Sequence, residues 1–262
     1  MMSRTLRLSD GRAVRALEAG EGPPVLLIHG VGMRAEAWGP QMAPLAAAHR
    51  VISVDMPGHG DSDPLPATAR LPDFVAWAAA VIRTLGLGPV SVAGHSMGAL
   101  VAAGLAVDHP EAVARVALLN AVYRRSDTAR AAVLARAGQI AAGEGDPEAP
   151  LDRWFTPADA ELRAQVADWL RRVDRAGYAT AYRAFAEGDA TYADRLGQIR
   201  CPALVLTADG DANSTPAMTA AMAAAIPGAK ALVIPGHRHM LNLTAPDLVS
   251  RALLDWLKES RT

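Results

Sequence analysis

The chain has 262 residues, 51% of them hydrophobic, and its 26 Lys and Arg nearly balance 27 Asp and Glu, which gives a formal net charge of −1. This length suits one large domain with a full core, and the charge argues against nucleic acid or an anionic membrane as a partner. Because no apolar run reaches the ~20 residues that span a bilayer and no signal-peptide core is present, we expect a soluble, cytoplasmic protein. The single cysteine, Cys201, excludes an internal disulfide.

Short apolar runs alternate with helical segments along most of the chain. Residues 5–20 have the pattern of a hairpin. Later apolar runs predict buried strands at 23–30, 50–58, 89–96, 113–121, 201–211 and 229–237. Helical spacing falls at 34–48, 72–86, 97–109, 215–228 and 245–258. Near-continuous apolar strands separated by helices predict an α/β fold, with a mostly parallel sheet covered by helices on both faces.

The alternation stops between residues 122 and 195, where no strand is predicted. Helical segments fall instead at 127–142, 159–175 and 178–187. We interpret 122–195 as a helical cap inserted into a core made of 1–121 and 196–262. Eight of the twelve aromatic residues lie in the cap: Tyr123, Trp154, Phe155, Trp169, Tyr178, Tyr182, Phe185 and Tyr192. Such side chains either form the cap's own core or cover an apolar binding cleft.

The segment VAGHSMGAL, residues 92–100, places a serine in a G-x-S-x-G motif between a strand and a helix. A sharp turn there holds Ser96 in a strained conformation at the carboxyl edge of the sheet, and glycines are needed because strand and helix almost touch. The helix N-terminus directs free N–H groups to the same place. The motif therefore indicates a nucleophilic serine, with a structural glycine turn as the alternative.

A nucleophilic serine needs a histidine base and an acid that orients it, in the chain order Ser, acid, His. Among the seven histidines, His237 and His239 alone come after residue 195, in the segment PGHRHMLNLTAP between the last predicted strand and the final helix. We prefer His239 because it leads into that helix, whereas His237 lies closer to the strand end. The acid should follow the strand PALVLTAD, and the candidates are Asp209 and Asp211 in the segment ADGDANSTP. We prefer Asp211, since the tip of this loop can reach a histidine on the next one.

The oxyanion of an acyl-transfer intermediate needs two backbone N–H donors. We assign one to Met97, directly after the serine, and one to Val31 in the segment HGVGM, residues 29–33. His29 is a structural support of that loop in this interpretation. The neighbouring segment DMPGHGDSD, residues 55–63, supplies structural contacts through Asp55, His59 and Ser62.

Taken together, HGVGM, DMPGHGDSD, GHSMG, TADGD and GHRHM resemble the α/β-hydrolase family, in order and over nearly the whole chain. The resemblance implies an eight-stranded, mostly parallel sheet with a cap after the sixth strand, and a triad at Ser96, Asp211 and His239. RWFTPADAE and GYATAYRAFAEGD further resemble the cap of 3-oxoadipate enol-lactonases and related esterases. A serine at position 96 differs from the carboxylate nucleophile of haloalkane dehalogenases and epoxide hydrolases. The HGVGM loop differs from the HGxGPG of carbon–carbon bond hydrolases.

The predicted function is that of a serine hydrolase of a small carboxylic ester or enol-lactone, with no cofactor, no metal and no prediction of oligomeric state. Alternatives are a carbon–carbon bond hydrolase, a cofactor-free perhydrolase or haloperoxidase, and a non-catalytic ligand-binding protein. An acidic substrate would require a cap arginine, for which Arg124, Arg125 and Arg153 are candidates. Candidate substrate contacts are His29, His95, Tyr123, Trp154, Tyr178, Tyr182 and His237.

Overall fold

A computed structural model describes residues 1–259 and contains one eight-stranded sheet. The strands are β1 (Met2–Arg7), β2 (Ala13–Ala19), β3 (Pro24–Ile28), β4 (Arg50–Val54), β5 (Val90–His95), β6 (Val113–Leu119), β7 (Ala203–Ala208) and β8 (Lys230–Ile234). Their order in the sheet is β1-β2-β4-β3-β5-β6-β7-β8. Only the pairs β1/β2 and β2/β4 are antiparallel, so the prediction of a mostly parallel sheet is confirmed.

Helices cover both faces of this sheet. The α-helices are α1 (Gly39–Ala46), α2 (Leu71–Thr84), α3 (Met97–Asp108), α4 (Asp127–Ala141), α5 (Leu151–Trp154), α6 (Ala160–Arg172), α7 (Arg175–Gly188), α8 (Pro216–Ala225), α9 (Leu241–Thr244) and α10 (Pro246–Leu257). On one face Leu45 of α1 and Trp256 of α10 are buried in one cluster. On the other face Phe74 of α2 and Leu105 of α3 belong to a second cluster that extends into the helices between β6 and β7.

The segment between β6 and β7 contains α4 to α7 and no strand. The helix predicted at 34–48 is divided into a 3₁₀ turn at Ala35–Trp38 and α1, and the short helices α5 and α9 were not predicted. Parallel strands end at the same edge of the sheet, so the loops after β3, β5, β6, β7 and β8 meet beneath α4 to α7. Ser96, Asp211 and His239 lie at this edge, in the loops after β5, β7 and β8.

Candidate active site

Ser96 occupies the turn between β5 and α3. Its backbone has φ 55° and ψ −117°, in a region that residues other than glycine rarely adopt. A Cβ atom on Gly94 would lie 2.0 Å from the carbonyl oxygen of Gly98, and one on Gly98 would lie 2.2 Å from that of Ile28. Glycine on both sides therefore lets strand and helix approach closely enough to present Ser96 at the edge of the sheet.

Three side chains from three loops meet in a hydrogen-bonded chain at this edge. The Oγ of Ser96 lies 3.1 Å from Nε2 of His239, and Nδ1 of His239 lies 2.8 Å from Oδ2 of Asp211. All three residues are buried. With Nδ1–H donating to the carboxylate, Nε2 is left as an acceptor for the serine proton. The arrangement can thus deprotonate Ser96 and stabilise the positive charge that develops on the imidazole.

The carboxylate of Asp211 is held by further donors. Oδ2 accepts a 2.8 Å hydrogen bond from Nδ2 of Asn120, and Oδ1 accepts bonds from the backbone N–H groups of Asn213 and Ser214. Burial by itself would raise the pKa of Asp211, but the charge and hydrogen bond of His239, together with these donors, hold that pKa below its usual value. Asp211 therefore remains ionised. Asn120 was not predicted from the sequence; a polar residue directly after the apolar β6 was the available signal.

Asp209, the alternative acid, has a different partner. Its Oδ1 accepts a 2.8 Å hydrogen bond from the N–H of Gly236 and so connects the β7 and β8 loops. The structure brings Asp211, rather than Asp209, to His239.

The two residues predicted to supply backbone N–H donors, Val31 and Met97, lie next to Ser96. Met97 is the first residue of α3, so its N–H has no acceptor within the helix. Val31 follows β3 in a loop that lies against the serine, since a Cβ on Gly30 would be 3.0 Å from Cβ of Ser96. Both residues therefore lie beside Ser96, as the prediction that their N–H groups form an oxyanion hole requires.

A cavity of about 150 Å³ opens onto Ser96 and His239. Residues between β6 and β7 form much of its wall: Arg125, Arg153, Trp154, Tyr178, Tyr182 and Phe185. Trp154 packs near the base, with its ring centroid 5.6 Å from that of His239. Trp154, Tyr178 and Tyr182 were among the predicted substrate contacts, and the structure places all three in this lining. Arg125 and Arg153 also line it, whereas Arg124 pairs with Asp194 and does not.

The model of the alpha/beta hydrolase family matches residues 25–252, which is most of the chain and includes the edge just described. The chain belongs to the alpha/beta hydrolase family.

Individual alpha/beta hydrolases are similar over their full length. The (E)-2-((N-methylformamido)methylene)succinate hydrolase of Acinetobacter baylyi is 52% identical over 260 residues, which is 98% of this chain and 99% of that protein. The enol-lactonase of Burkholderia xenovorans has a TM-score of 0.90 at 26% identity, covering 98% of this chain and 100% of that one. A thermophilic esterase from Thermogutta terrifontis, solved with malate bound, has the same TM-score and identity and covers 100% of both. The predicted family and fold are confirmed, and the protein is a hydrolase.

His29 and His59 tie together two loops of this hydrolase fold. Nε2 of His59 accepts the N–H of Gly32, while Nε2 of His29 accepts the N–H of Met56, both at 2.9 Å. The opposite ring nitrogens lie 2.7 Å from the oxygen of Gly30 and 3.0 Å from that of Pro57, so both imidazoles are neutral donors at Nδ1. Complete burial lowers the pKa of His59 to about 4 and that of His29 well below its usual value. His29 is therefore a structural residue, and its assignment as a substrate contact is corrected.

Three further residues predicted to contact substrate lie outside the lining of the cavity. His95 is buried under His239 and donates from Nε2 to the backbone oxygen of His239 at 2.8 Å. His237 lies 3.2 Å from Oγ1 of Thr244. Tyr123 packs beside the guanidinium of Arg124, 5.5 Å from its ring. These assignments are corrected because none of the three side chains belongs to the lining of the cavity above Ser96, and Tyr123 lines a separate cavity.

Residues 1–259 contain no group of three or more His, Cys, Asp or Glu side chains arranged to hold a metal ion. Over the same range, no helix is both long and apolar enough to cross a membrane.

Proposed function

We propose that this protein is a serine hydrolase that acts through an acyl-enzyme, with Ser96 as nucleophile, His239 as general base and Asp211 as the residue that orients His239. The observation that carries the proposal is the continuous chain from Asp211 through His239 to Ser96, with contacts of 2.8 and 3.1 Å. The N–H groups of Val31 and Met97 complete it as the oxyanion hole. A carboxylate, an imidazole and a serine in this relation form the catalytic unit of many unrelated hydrolases.

The bond proposed to be cleaved joins an acyl carbon to a heteroatom that is itself carried by a carbon–carbon double bond. The relative that is 52% identical acts on (E)-2-((N-methylformamido)methylene)succinate, in which a formyl group sits on such a nitrogen. The enol-lactonase neighbour acts, by its name, on a ring whose leaving oxygen is of the same kind. An enamine or enolate is a stabilised leaving group, so the same acyl-enzyme mechanism would cleave the N-formyl compound and the enol-lactone. The ester or enol-lactone specificity predicted from the sequence is one case of this wider class.

An N-formyl substrate would be cleaved in two stages, formation of a formyl-serine and its hydrolysis. His239 takes the proton of Ser96, Oγ bonds to the formyl carbon, and the carbon–nitrogen bond breaks as His239 returns the proton to the leaving nitrogen. Water then attacks the formyl-serine while His239 accepts one of its protons, and formic acid leaves as His239 returns that proton to Oγ; the acid then ionises to formate in solvent. Each addition places negative charge on the carbonyl oxygen, where the N–H groups of Val31 and Met97 lie.

The test compares wild type with Ser96→Ala on three substrates: 4-nitrophenyl acetate, an enol-lactone and (E)-2-((N-methylformamido)methylene)succinate. We expect the variant to lose about 10⁴-fold or more in kcat on whichever substrate is cleaved, and a phosphonate probe to label Ser96. Ser250→Ala is the matched control, since Ser250 is buried and its Oγ has no partner within residues 1–259. Its activity should equal that of wild type.

Product analysis distinguishes the alternatives. Release of formate from the N-formyl substrate indicates cleavage of the carbon–nitrogen bond. Products in which a carbon–carbon bond is broken while the formyl group stays on nitrogen would support the carbon–carbon hydrolase alternative instead. Turnover that survives in Ser96→Ala would contradict the nucleophile assignment, and binding without turnover in wild type would support the ligand-binding alternative.

A further inference from the structure

A buried charge cluster lies beside the cavity above Ser96, on the segment between β6 and β7. The guanidinium of Arg125 is 4% exposed, and its Nη1 lies 3.3 Å from Oδ1 of Asp189, whose carboxylate is fully buried. Arg130 reaches the other oxygen of the same carboxylate at 3.1 Å. Two guanidinium groups thus share one carboxylate, and the cluster keeps one positive charge in excess.

The pairing of Arg125 with Asp189 is incomplete. Although Nη1 of Arg125 lies 3.3 Å from Oδ1 of Asp189, that oxygen has no partner of good hydrogen-bond geometry within residues 1–259, so the ion pair is loosely bonded. Nη1 of Arg125 has long contacts of 3.4 Å to the backbone oxygens of Phe185 and Ala186, and Nη2, also buried, has no partner over the same residues. Burial lowers the pKa of the Arg125 guanidinium despite the opposing charge of Asp189, as expected for an undercompensated cation.

The lining of the cavity has donors and positive charge but no carboxylate. Arg125 and Arg153 are the charged side chains among the sixteen lining residues that the structure describes. Arg153 has no ion pair within residues 1–259, and the Nε1 of Trp154, another lining residue, is a buried donor without a partner there. A buried polar group without a partner is costly, and native structures normally supply one. The missing partner here must be an acceptor, and the charges favour an anion.

We propose that Arg125 is a specificity-determining residue that binds a carboxylate of the substrate inside the cavity, with Arg153 and the indole N–H of Trp154 as additional donors. This proposal rests on the proposed function and names its substrate class: an acyl compound that carries at least one carboxylate. The cavity that holds the carboxylate also opens onto Ser96, so binding it positions the acyl carbon for attack.

The surroundings of Arg125 fit this role. A planar guanidinium matches a carboxylate through two parallel N–H···O bonds. Its plane is held in advance, because the ring of Phe185 lies 4.4 Å from the guanidinium carbon, and the backbone N–H of Arg125 is fixed by a 2.6 Å bond to Oδ2 of Asp189. A donor that is already ordered loses little conformational freedom on binding. Asp189 therefore positions Arg125 without supplying the hydrogen bonds that a ligand would supply.

The experiment measures binding of methylenesuccinate and of its neutral diamide, methylenesuccinamide, to the full-length protein by calorimetry. We expect wild type to prefer the dianion, and Arg125→Gln to weaken dianion binding by about 10- to 100-fold, as loss of a hydrogen-bonded charged donor implies. Arg153→Gln should weaken it by about 3- to 10-fold, since its exposed charge is partly screened. Diamide binding should change less than twofold in both variants.

Arg163→Gln is the matched control, because this arginine also lies between β6 and β7, pairs with Asp152 and does not line the cavity. Its dianion affinity should equal that of wild type. Circular dichroism verifies that each variant folds. If Arg125→Gln does not fold, the same dianion affinities are measured for Arg125→Lys, which keeps the charge beside Asp189, and for Arg153→Gln. The proposal is overturned if wild type binds the dianion no better than the diamide, or if the folded variants keep the wild-type preference.

Failure of this proposal differs from failure of the proposed function. Binding of methylenesuccinate requires no turnover, so it is measured independently of Ser96. Cleavage that depends on Ser96 but is indifferent to substrate charge would overturn the carboxylate site alone. Charge-selective binding without Ser96-dependent cleavage would overturn the proposed function alone.

Discussion

The two walls of the cavity differ in what holds their polar groups. On the sheet wall, formed by the loops at the carboxyl ends of the strands, Ser96 and His239 line the cavity and are bonded to each other. Asp211 lies outside the lining, holds His239 and uses both carboxylate oxygens. On the opposite wall, called the cap wall and formed by residues between β6 and β7, a buried N–H group of Arg125 and that of Trp154 have no partner within the described residues. The sheet wall is thus set in its geometry before a ligand binds. The cap wall has hydrogen-bonding capacity left for one.

This difference assigns separate tasks to the two walls. A reaction that proceeds through a charged intermediate needs donors whose positions do not change as charge develops, which loops anchored at strand ends supply. Discrimination among substrates needs groups that gain a partner only when the correct ligand binds. Changes to the sheet wall should therefore affect the rate of the chemical step, and changes to the cap wall should affect which compound is bound.

After replacement of Ser96 itself, the largest effect expected on the sheet wall is that of Asp211→Asn. An amide at this position can direct its N–H₂ group at Nδ1 of His239, which reverses the tautomer and leaves Nε2 unable to accept the serine proton. We expect kcat to fall about 10⁴-fold, with KM little changed because Asp211 does not line the cavity. Steady-state kinetics on the cleaved substrate measures both constants.

Asp209→Asn is the matched control, two residues away on the same loop. Its carboxylate accepts the N–H of Gly236, and an asparagine side chain can accept the same bond, so kcat should stay within about threefold of wild type. Equal losses in the two variants would mean that the loop as a whole, rather than the contact with His239, sets the rate.

The sheet wall could be predicted from the sequence because its residues follow strands of a parallel sheet. Once Ser96 was placed after β5, chain order directed the search for the acid to the loop after β7 and for the base to the loop after β8. The preference for Asp211 over Asp209 matches the observed contact with His239. Asn120 was missed because a single asparagine after β6 has no spacing rule that identifies it as a donor to Asp211.

The cap wall could not be predicted to the same depth. Helical spacing located α4, α6 and α7, but the faces that they turn toward Ser96 depend on how they pack, which periodicity does not give. Arg124 and Arg125 are adjacent in sequence, yet Arg124 pairs at the surface with Asp194 and Arg125 lines the cavity. Trp154 lies in the four-residue helix α5, too short to have a recognisable pattern.

Acid should lower the free energy of unfolding through histidines that are buried at the edge of the sheet. No histidine lies between residues 122 and 195, whereas burial lowers the pKa of His95 to about 3, that of His59 to about 4 and that of His29 well below its usual value. Between pH 6 and 5 the unfolded chain binds these protons and the folded chain does not, so acidification favours unfolding. His95 and His59, whose folded pKa values lie below pH 5, predict that the free energy of unfolding falls by about 2–3 kcal/mol per pH unit, which urea titrations at pH 6 and 5 can measure.

His59→Gln tests the origin of this slope. A glutamine can accept the N–H of Gly32 and donate to the oxygen of Pro57, so the tie between the two loops is retained without a titrating group. The slope should decrease by about 1.4 kcal/mol per pH unit, the share of one histidine. An unchanged slope would show that other groups cause the acid sensitivity.

A further effect concerns the contact between α7 and the loop after β4. Gly177, near the start of α7, lies against Gly58 in the loop after β4, and a Cβ on Gly177 would be 2.5 Å from the Cα of Gly58. Since both atoms belong to backbone, Gly177→Ala must move α7, which carries Tyr178 and Tyr182, away from the sheet. We expect a loss of about 1–3 kcal/mol in the free energy of unfolding, as for other overpacked sites, and a raised KM with kcat nearly unchanged.

Gly138→Ala is the matched substitution without such a contact. Gly138 is an exposed position inside α4, and nothing lies within 4 Å of a Cβ built on it. Alanine there should stabilise the protein by about 0.5–1 kcal/mol through helix propensity alone. If the free energy of unfolding falls in Gly177→Ala and rises in Gly138→Ala, the close approach of α7 to the loop after β4, rather than helix propensity, determines the effect at Gly177. A Gly177→Ala variant as stable and as active as wild type would mean that α7 can move away from the loop after β4 without a change in stability or in substrate binding.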